Sequence, residues 1–182
     1  MHPAGKVILA LIGVLVVGIV GFVVWIIATE TGIVGDSAED QPRTDEGYAE
    51  FVAAIEEQNG GTEVYEVSVY ESFAYAEVPV PGGDRRSITY QWMNGDLAEW
   101  TKASGLDEPL FDMADLDPSA FRSACAAARD LVEEPGDCSV FVRAPEEGDG
   151  WISAHVGNDF GEYGNVTADL DGEVLETRAP GE

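Results

Sequence analysis

The chain contains two cysteines, Cys125 and Cys138, separated by 13 positions. Cys125 falls on the apolar face of a predicted helix, and Cys138 begins a predicted strand that this face must meet. A disulfide between them would close a loop of about 14 residues and add roughly 3 kcal/mol to the stability. Zinc binding or thiol redox catalysis needs further ligands or a Cys-x-x-Cys spacing, which the sequence lacks. The pair therefore predicts a structural disulfide, formed in an oxidising compartment.

His155 is the other residue with versatile chemistry, since the second histidine, His2, lies in the amino-terminal tail. A general base at His155 is conceivable. It stands in a strand-like segment, where a single histidine is more often a packing or surface residue, and no free thiol remains to join it. The sequence also lacks a Gly-x-Ser-x-Gly elbow, a glycine-rich phosphate loop and a His-Glu-x-x-His helix. No catalytic residue is predicted.

Carboxylates are abundant, with 35 Asp and Glu against nine Lys and Arg, so pairs of them will meet by chance. A cell-envelope hydrolase that uses a carboxylate pair is therefore an alternative function. A calcium-stabilised structural domain is another, because two acidic clusters offer hard oxygen ligands. Helix capping and a hairpin explain these clusters equally well, and no metal site or cofactor is predicted. The clusters are Asp112, Asp115 and Asp117, and Asp169, Asp171 and Glu173.

Two sets of aromatic residues are candidates for binding a partner. Phe160 and Tyr163 stand among three glycines in residues 157–164, which is typical of a binding loop. The alternative is that both rings fold back over the edge of a sheet. The second set is Trp92, Trp100 and Trp151, which we expect near a concave sheet surface.

Two amphipathic helices are predicted to support these residues. The first spans about residues 45–58 and ends at Asn59-Gly60-Gly61. The second has Asp117 as its cap and Pro118 at its first position, and ends before Pro135. The predicted apolar faces are Tyr48, Phe51, Val52 and Ile55 in the first helix, and Phe121, Ala124, Cys125, Ala128 and Leu131 in the second.

Each helix is followed by three predicted strands and a hairpin return. Asn94-Gly95 and Asp171-Gly172 are predicted to form the hairpin turns, because such pairs tolerate the positive φ of a two-residue turn. The segments around the two turns match in character, so we expect two similar helix-plus-sheet units that share a core. Such turns are also common in unrelated α+β proteins. The predicted strands are 63–70, 73–80 and 87–93 in the first unit, and 138–143, 151–156 and 165–170 in the second.

The pattern resembles PepSY-like domains and the related tandem repeat of β-lactamase inhibitor proteins. The resemblance rests on Asn94-Gly95-Asp96-Leu97 and Asp171-Gly172-Glu173-Val174, and it would cover residues 45–178. It implies a helix packed on an antiparallel sheet, and a non-catalytic binding or inhibitory module at the cell surface. No functional residue carries over beyond the turns. A single cystatin-like domain, with one helix wrapped by a longer sheet, would explain each half nearly as well.

The amino-terminal region predicts a membrane anchor. Val7 to Ile27 is an unbroken apolar run, preceded by Lys6 and followed by acidic residues. As a helix it would reach roughly 31 Å, at about 1.5 Å per residue, enough to cross a hydrocarbon core of about 30 Å. The run exceeds the apolar core of a cleavable signal peptide. Since the basic flank stays inside, we expect a cytoplasmic N terminus and an extracytoplasmic remainder.

The net charge of −26 limits the choice of partner, because every acidic residue lies beyond the apolar run. Nucleic acid and anionic lipid surfaces carry like charge and are unfavourable partners. A cationic partner fits this charge, although an acidic coat that only maintains solubility would explain it as well. We therefore expect no nucleic-acid binding, contact with membrane lipid through residues 7–28, and a protein or envelope component as the partner.

The sequence thus predicts an α+β protein: an N-terminal transmembrane helix followed by two similar helix-plus-antiparallel-sheet units. The expected function is a membrane-anchored, extracytoplasmic binding or regulatory module that is not an enzyme. The predicted segments are a cytoplasmic tail at 1–6, an anchor at 7–28, a flexible stalk at 29–44, a first unit at 45–105, a linker at 106–116, a second unit at 117–178 and a tail at 179–182.

Overall fold

The computed structural model describes residues 41–82, 85–104 and 108–181. They form an α+β fold, as predicted, with two helices and a large antiparallel sheet. The predicted anchor and most of the predicted stalk lie outside these residues. No helix within the described ranges is long and apolar enough to cross a membrane. The elements are α1 (Asp45–Asn59), β1 (Glu63–Val64), β2 (Glu66–Val69), β3 (Phe73–Pro79), β4 (Arg86–Met93), β5 (Asp96–Ser104), β6 (Phe111–Asp112), a 3-10 helix (Met113–Asp115), α2 (Pro118–Arg129), β7 (Cys138–Arg143), β8 (Ile152–Gly157), β9 (Tyr163–Ala168) and β10 (Val174–Arg178).

Both helices begin at side-chain caps. The Thr44 hydroxyl accepts from the backbone N–H of Gly47 at 3.0 Å, and the Asp117 carboxylate accepts from Ser119 N–H at 2.7 Å. Pro118 occupies the first turn of α2. Backbone N–H groups in the first turn have no partner within the helix, so proline loses no helical hydrogen bond there. The predicted apolar faces are largely buried, with Val52 and Leu131 half-buried at their margins.

The main sheet has the order β10-β9-β8-β7-β2-β3-β4-β5, and each neighbouring pair is antiparallel. Its centre is the pairing of β2 with β7, which joins strands far apart in the sequence. The strand predicted at 63–70 is divided. Its first part, β1, pairs with β6 in a separate ribbon, whereas the Tyr65 N–H donates to the Glu77 carbonyl at 2.8 Å as the chain enters the main sheet.

Side chains alternate between the two faces of the sheet, as expected for strands. In β3, for example, buried Ala74, Ala76 and Val78 alternate with half-buried neighbours. The buried face packs against α1 and α2. Several of its residues are alanine or valine, small enough for the helices to approach closely. The strand residues on this face include Val67, Val69, Ala74, Ala76, Val78, Trp92, Val140, Val142, Ile152, Ala154, Val156, Val166 and Ala168.

Cys125 and Cys138 form a disulfide between α2 and β7, with their Cα atoms 5.8 Å apart. This separation is normal for a disulfide. Both cysteines are buried, Cys125 in α2 and Cys138 in β7. The bond therefore attaches the second helix to one of the two central strands.

Two segments that we predicted to be connections are part of the folded domain. Pro42 is buried, and the Arg43 guanidinium donates to the Cys138 carbonyl, so the domain begins before the predicted end of the stalk at residue 44. In the predicted linker, Phe111 and Met113 are buried, and the Tyr48 hydroxyl donates to the Met113 carbonyl at 3.0 Å. Apolar side chains in both segments explain why they pack instead of remaining solvated.

Candidate functional site

The second face of the main sheet carries the candidate site. Both helices lie on the other side, and no element within the described residues packs over this face. We call it the open face. A row of six aromatic side chains crosses it, and we call this row the aromatic ridge. The aromatic ridge comprises Tyr70, Phe73, Tyr75, Trp100, Phe141 and His155.

Ring contacts make the aromatic ridge continuous on the first half of the open face. The ring centroids of Trp100 and Tyr75 are 5.7 Å apart, and those of Tyr75 and Phe73 are 5.6 Å apart. Tyr70 stacks on Phe73 at 4.4 Å. The Tyr75 hydroxyl accepts from Gln91 Nε2 at 2.9 Å, which fixes that ring between its neighbours. These separations are in the range at which aromatic pairs attract.

The aromatic ridge continues across the β2–β7 junction into the second half. The centroids of Tyr70 and Phe141 are 6.1 Å apart, and those of Phe141 and His155 are 5.3 Å apart. All six side chains are at least partly accessible to solvent. The rings therefore offer one connected surface that a partner could contact across both halves of the sheet.

Next to the aromatic ridge on the open face, three charged residues lie side by side in neighbouring strands. Glu66 of β2 pairs with Glu77 of β3 on one side and with Arg143 of β7 on the other. Arg143 donates through Nε to Glu66 Oε2 at 2.6 Å, and the Ser68 hydroxyl donates to Glu66 Oε1 at 2.6 Å. The Ser87 hydroxyl donates to Glu77 Oε1 at 2.5 Å. We call Arg143, Glu66 and Glu77 the charged row.

Two cavities flank the central junction on the open face. The smaller, of about 260 Å³, is lined by the two glutamates and two aromatic residues of the first half. The larger, of about 830 Å³, lies in the second half and includes Phe141, Trp151, His155 and Tyr163. Each thus combines aromatic walls with a few polar groups, the composition of ordinary ligand sites. The complete lining of the smaller cavity is Glu66, Ser68, Tyr75, Glu77, Thr89 and Trp100.

The three tryptophans predicted to lie near one surface are separated by the fold. Trp100 is on the open face and 63% exposed. Trp151 is half-buried, lines the larger cavity and contacts Phe111 edge-on at 5.8 Å. Trp92 points to the other face, where it is 0% exposed and lies 5.9 Å from Phe51 of α1. Trp92 is therefore a core residue and no part of a binding surface.

Phe160, in the connection from β8 to β9, and Tyr163, the first residue of β9, are both presented to solvent. Phe160 is 79% exposed and Tyr163 is 72% exposed. Asn158 organises the segment, because its Oδ1 accepts from the N–H groups of Phe160 and Glu162, each at 3.0 Å. Tyr163 also covers Gly157, where a Cβ atom would lie 2.9 Å from the ring. Tyr163 thus packs on the sheet in part, whereas Phe160 projects from the tip.

The hairpin turns differ from each other. Asn94 and Gly95 both have positive φ, 53° and 79°, and connect β4 to β5 through two residues. The second connection, between β9 and β10, is longer and spans residues 169–173. Within it, Asp169 Oδ1 accepts from the N–H groups of both Asp171 and Glu173, at 3.0 and 2.8 Å. Gly172 is needed there for a close approach, since a Cβ atom would lie 2.9 Å from Ala120 Cα. The second turn is therefore a wider loop that packs against α2.

His155 and the acidic clusters have structural partners. An Asn165 side chain lies 2.9 Å from His155 Nδ1, and burial lowers the pKa of His155 below its ordinary value of 6.5. The Thr62 side chain and the Ala114 N–H donate to Asp112, and these bonds lower the pKa of that carboxyl. The Ser119 N–H donates to Asp117 and lowers its pKa in the same way. No group of three potential metal ligands occurs within the described ranges.

Glu71 lies at the β2–β3 turn and shares a hydrogen bond with the Asp137 side chain. This bond, and the repulsion between the two carboxylates, raise the pKa of Glu71 above its ordinary value of 4.5. The Glu71 carboxyl therefore binds its proton more tightly in the folded state than in the unfolded chain. The stabilisation is fully present below about pH 4.5 and is lost as the pH rises through the raised pKa of Glu71.

We therefore expect Glu71→Gln to flatten the pH dependence of stability. The Gln amide can donate to Asp137 at every pH, so above the raised pKa of Glu71 the variant should be more stable than the parent, by less than about 1 kcal/mol because the site is exposed. Urea unfolding at a series of pH values would measure the difference. Glu50→Gln, an exposed residue of α1, is the control. Equal pH profiles for Glu71→Gln and the parent would refute the shared proton.

Most of the aromatic ridge and the whole charged row were not predicted from the sequence. The available signal was alternation: Phe73-Ala74-Tyr75 places two rings on one side of a strand. Sequence alone did not indicate which side the helices would cover, or that Glu66 and Glu77 would lie opposite each other. No family model, curated protein or solved structure matches this chain, so the assignment of function depends on the chemistry of this site.

Proposed function

We propose that this protein is a single-pass protein of the cell membrane whose extracytoplasmic domain binds another protein or an envelope component through its open face, without catalysing a reaction. The aromatic ridge is the observation that carries this proposal. Aromatic residues are enriched at the energetic centres of protein interfaces. A connected group of accessible rings on a sheet without helical cover is a typical interaction surface.

The chemistry of the charged row favours binding over catalysis. Arg143 contacts Glu66 Oε2 as an ion pair, so this oxygen is not free to exchange a proton with a substrate. Ser68 and Ser87 already donate to the two glutamates. Both cysteines are joined in the disulfide, so neither supplies a thiolate nucleophile.

The membrane part of the proposal rests on the sequence. The apolar run from Val7 to Ile27 has the length of a membrane-spanning helix, and the acidic flank after it favours export of the remainder. The disulfide between Cys125 and Cys138 fits an oxidising compartment outside the cytoplasm.

We also propose that the exported domain consists of two repeated units. Two features support this: each half has one helix followed by four strands of the main sheet, and the halves meet through the first of these strands, β2 and β7. A single cystatin-like domain has one helix and would not account for the second. The likeness to PepSY-like domains and β-lactamase inhibitor proteins remains part of this proposal.

Partner capture by open-face variants tests the proposed function. Trp100→Ala combined with Tyr163→Ala removes two exposed rings at opposite ends of the open face. We expect crosslinking of the full-length protein in its native membrane to yield one specific partner, and the double variant to capture it at least tenfold less, as for loss of interface hot spots. Melting temperature should change little, because both rings are exposed.

Two controls separate the open face from other surfaces. Val174→Ala removes an exposed apolar side chain of β10 that lies opposite buried Ala168, on the helix side of the sheet, and should leave capture unchanged. Phe160→Ala tests the loop tip separately, and a loss confined to this variant would move the contact from the sheet to the loop. If the double variant captures as much partner as the parent, or if no specific partner is found, the proposal fails.

The envelope hydrolase is retained as a second candidate because Glu66 and Glu77 lie opposite each other in a cavity. Retaining glycosidases hold two carboxylates at about 5 to 5.5 Å. This candidate requires the parent to release soluble fragments from purified envelope glycan, and Glu77→Gln to abolish the release. The binding proposal expects no release from either.

A further inference from the structure

The smaller cavity of the open face has the size of a single side chain. We call it the glutamate pocket, after Glu66 and Glu77 in its lining. Its volume of about 260 Å³ falls below the range of about 300 to 1,000 Å³ that is usual for small-molecule sites. The pocket is therefore better suited to one group presented by a larger partner than to a free ligand of ordinary size.

The charges around the glutamate pocket leave one negative charge without a matching positive charge. Arg143 forms an ion pair with Glu66 and also attracts Glu108 and, more weakly, Glu77 electrostatically. Within the described residues no basic side chain forms an ion pair with Glu77. The charged row thus holds two carboxylates and one guanidinium, on a chain whose net charge is −26. An additional cation would neutralise the second carboxylate, Glu77.

The walls of the glutamate pocket also favour a cation. Tyr75 and Trp100 contribute rings inclined at 56° with centroids 5.7 Å apart. The faces of aromatic rings attract cations, and tryptophan does so most strongly. The Tyr75 hydroxyl is already occupied by Gln91, so its ring is held in place. Two carboxylates and two aromatic rings therefore line one pocket, a combination that favours a cation.

We propose that the glutamate pocket accepts an arginine side chain of the protein partner, an inference that rests on the proposed function. The guanidinium would donate to the Glu77 carboxylate and stack on the ring of Trp100, with Tyr75 beside it at an angle of 56°. Arginine suits this site better than lysine, because its planar group can stack and donate two parallel hydrogen bonds, and it is more weakly hydrated than an ammonium. The pocket would therefore make binding to this acidic surface selective for arginine.

Titration with N-acetyl-arginine amide tests the arginine pocket. The full-length protein in neutral detergent micelles, at 150 mM salt, is followed by the indole N–H resonance of Trp100, which is assigned by its loss in Trp100→Leu. We expect a saturable shift with arginine, at least threefold weaker binding of N-acetyl-lysine amide, and no saturable shift with the uncharged N-acetyl-citrulline amide. Equal binding of citrulline, or no saturable shift with arginine, would overturn the proposal.

A matched pair of variants separates the pocket from general attraction to an acidic protein. Glu77→Gln keeps the shape and the acceptor for Ser87 but removes the charge, and it should weaken arginine binding at least tenfold. Glu50→Gln removes an equal charge from the exposed surface of α1 and should leave the affinity unchanged. Equal effects of the two variants would contradict the assignment.

The outcomes also separate this inference from the proposed function. If partner capture is lost in the double variant of Trp100 and Tyr163 while the arginine titration fails, the open face binds its partner without an arginine anchor. If the titration succeeds and no partner is captured, the pocket is real but the proposed function is wrong. If both succeed, Glu77→Gln should also reduce partner capture.

Discussion

Replacing Trp92 with alanine is expected to lower the free energy of unfolding by about 3 to 5 kcal/mol, as for large aromatic residues deleted from a core. Trp92 is the largest of the fully buried side chains, and it lies opposite Ala74 in the register and against Phe51 of α1. Small neighbours such as Ala74 cannot expand to fill the cavity. Urea or guanidinium unfolding, followed by circular dichroism, would measure the loss.

Trp100→Ala is the matched control, because it removes the same side chain from the opposite face of the sheet. With a 63% exposed ring, it should change the free energy of unfolding by no more than about 0.5 kcal/mol. Trp100→Ala should instead weaken binding of the partner. Similar destabilisation by the two variants would mean that the assignment of the two faces is wrong.

Replacement of Cys125 and Cys138 by serine is expected to destabilise the domain by about 3 kcal/mol in the chain-entropy model. At about 3 to 4 °C per kcal/mol for a domain of this size, the melting temperature should fall by roughly 10 °C. Because the disulfide connects α2 with a central strand, packing of that helix should loosen first. Differential scanning calorimetry gives the shift, and hydrogen exchange of the α2 amides locates it.

Reductant provides the control for the cysteine variant. The parent should melt close to the double serine variant when fully reduced, and the variant itself should not respond to reductant. A parent that melts at the same temperature with and without reductant, while its thiols become alkylated, would show that the bond contributes no stability.

The helices were predicted well because their signals are local. Asp117 was predicted as a cap and Pro118 as a helix start, and apolar residues recur with helical spacing in both helices. The Asn94-Gly95 turn is specified in the same way, since two consecutive residues with positive φ strongly restrict the residue type. The partner of β1 could not be predicted, because a strand of two residues carries too little pattern to identify β6.

The order of residues is enough to predict an amphipathic pattern, that is, which residues share one side of a strand or helix. It also shows that a strongly acidic segment follows an apolar run. The folded domain was needed to show which side of the sheet α1 and α2 cover, and therefore that Trp92 is buried while Trp100 is exposed. It also decided that β2 pairs with β7, which places Arg143 beside Glu66. The reason is physical: alternation is a property of neighbouring residues, whereas coverage and strand pairing are settled by how distant segments bury their apolar surfaces together.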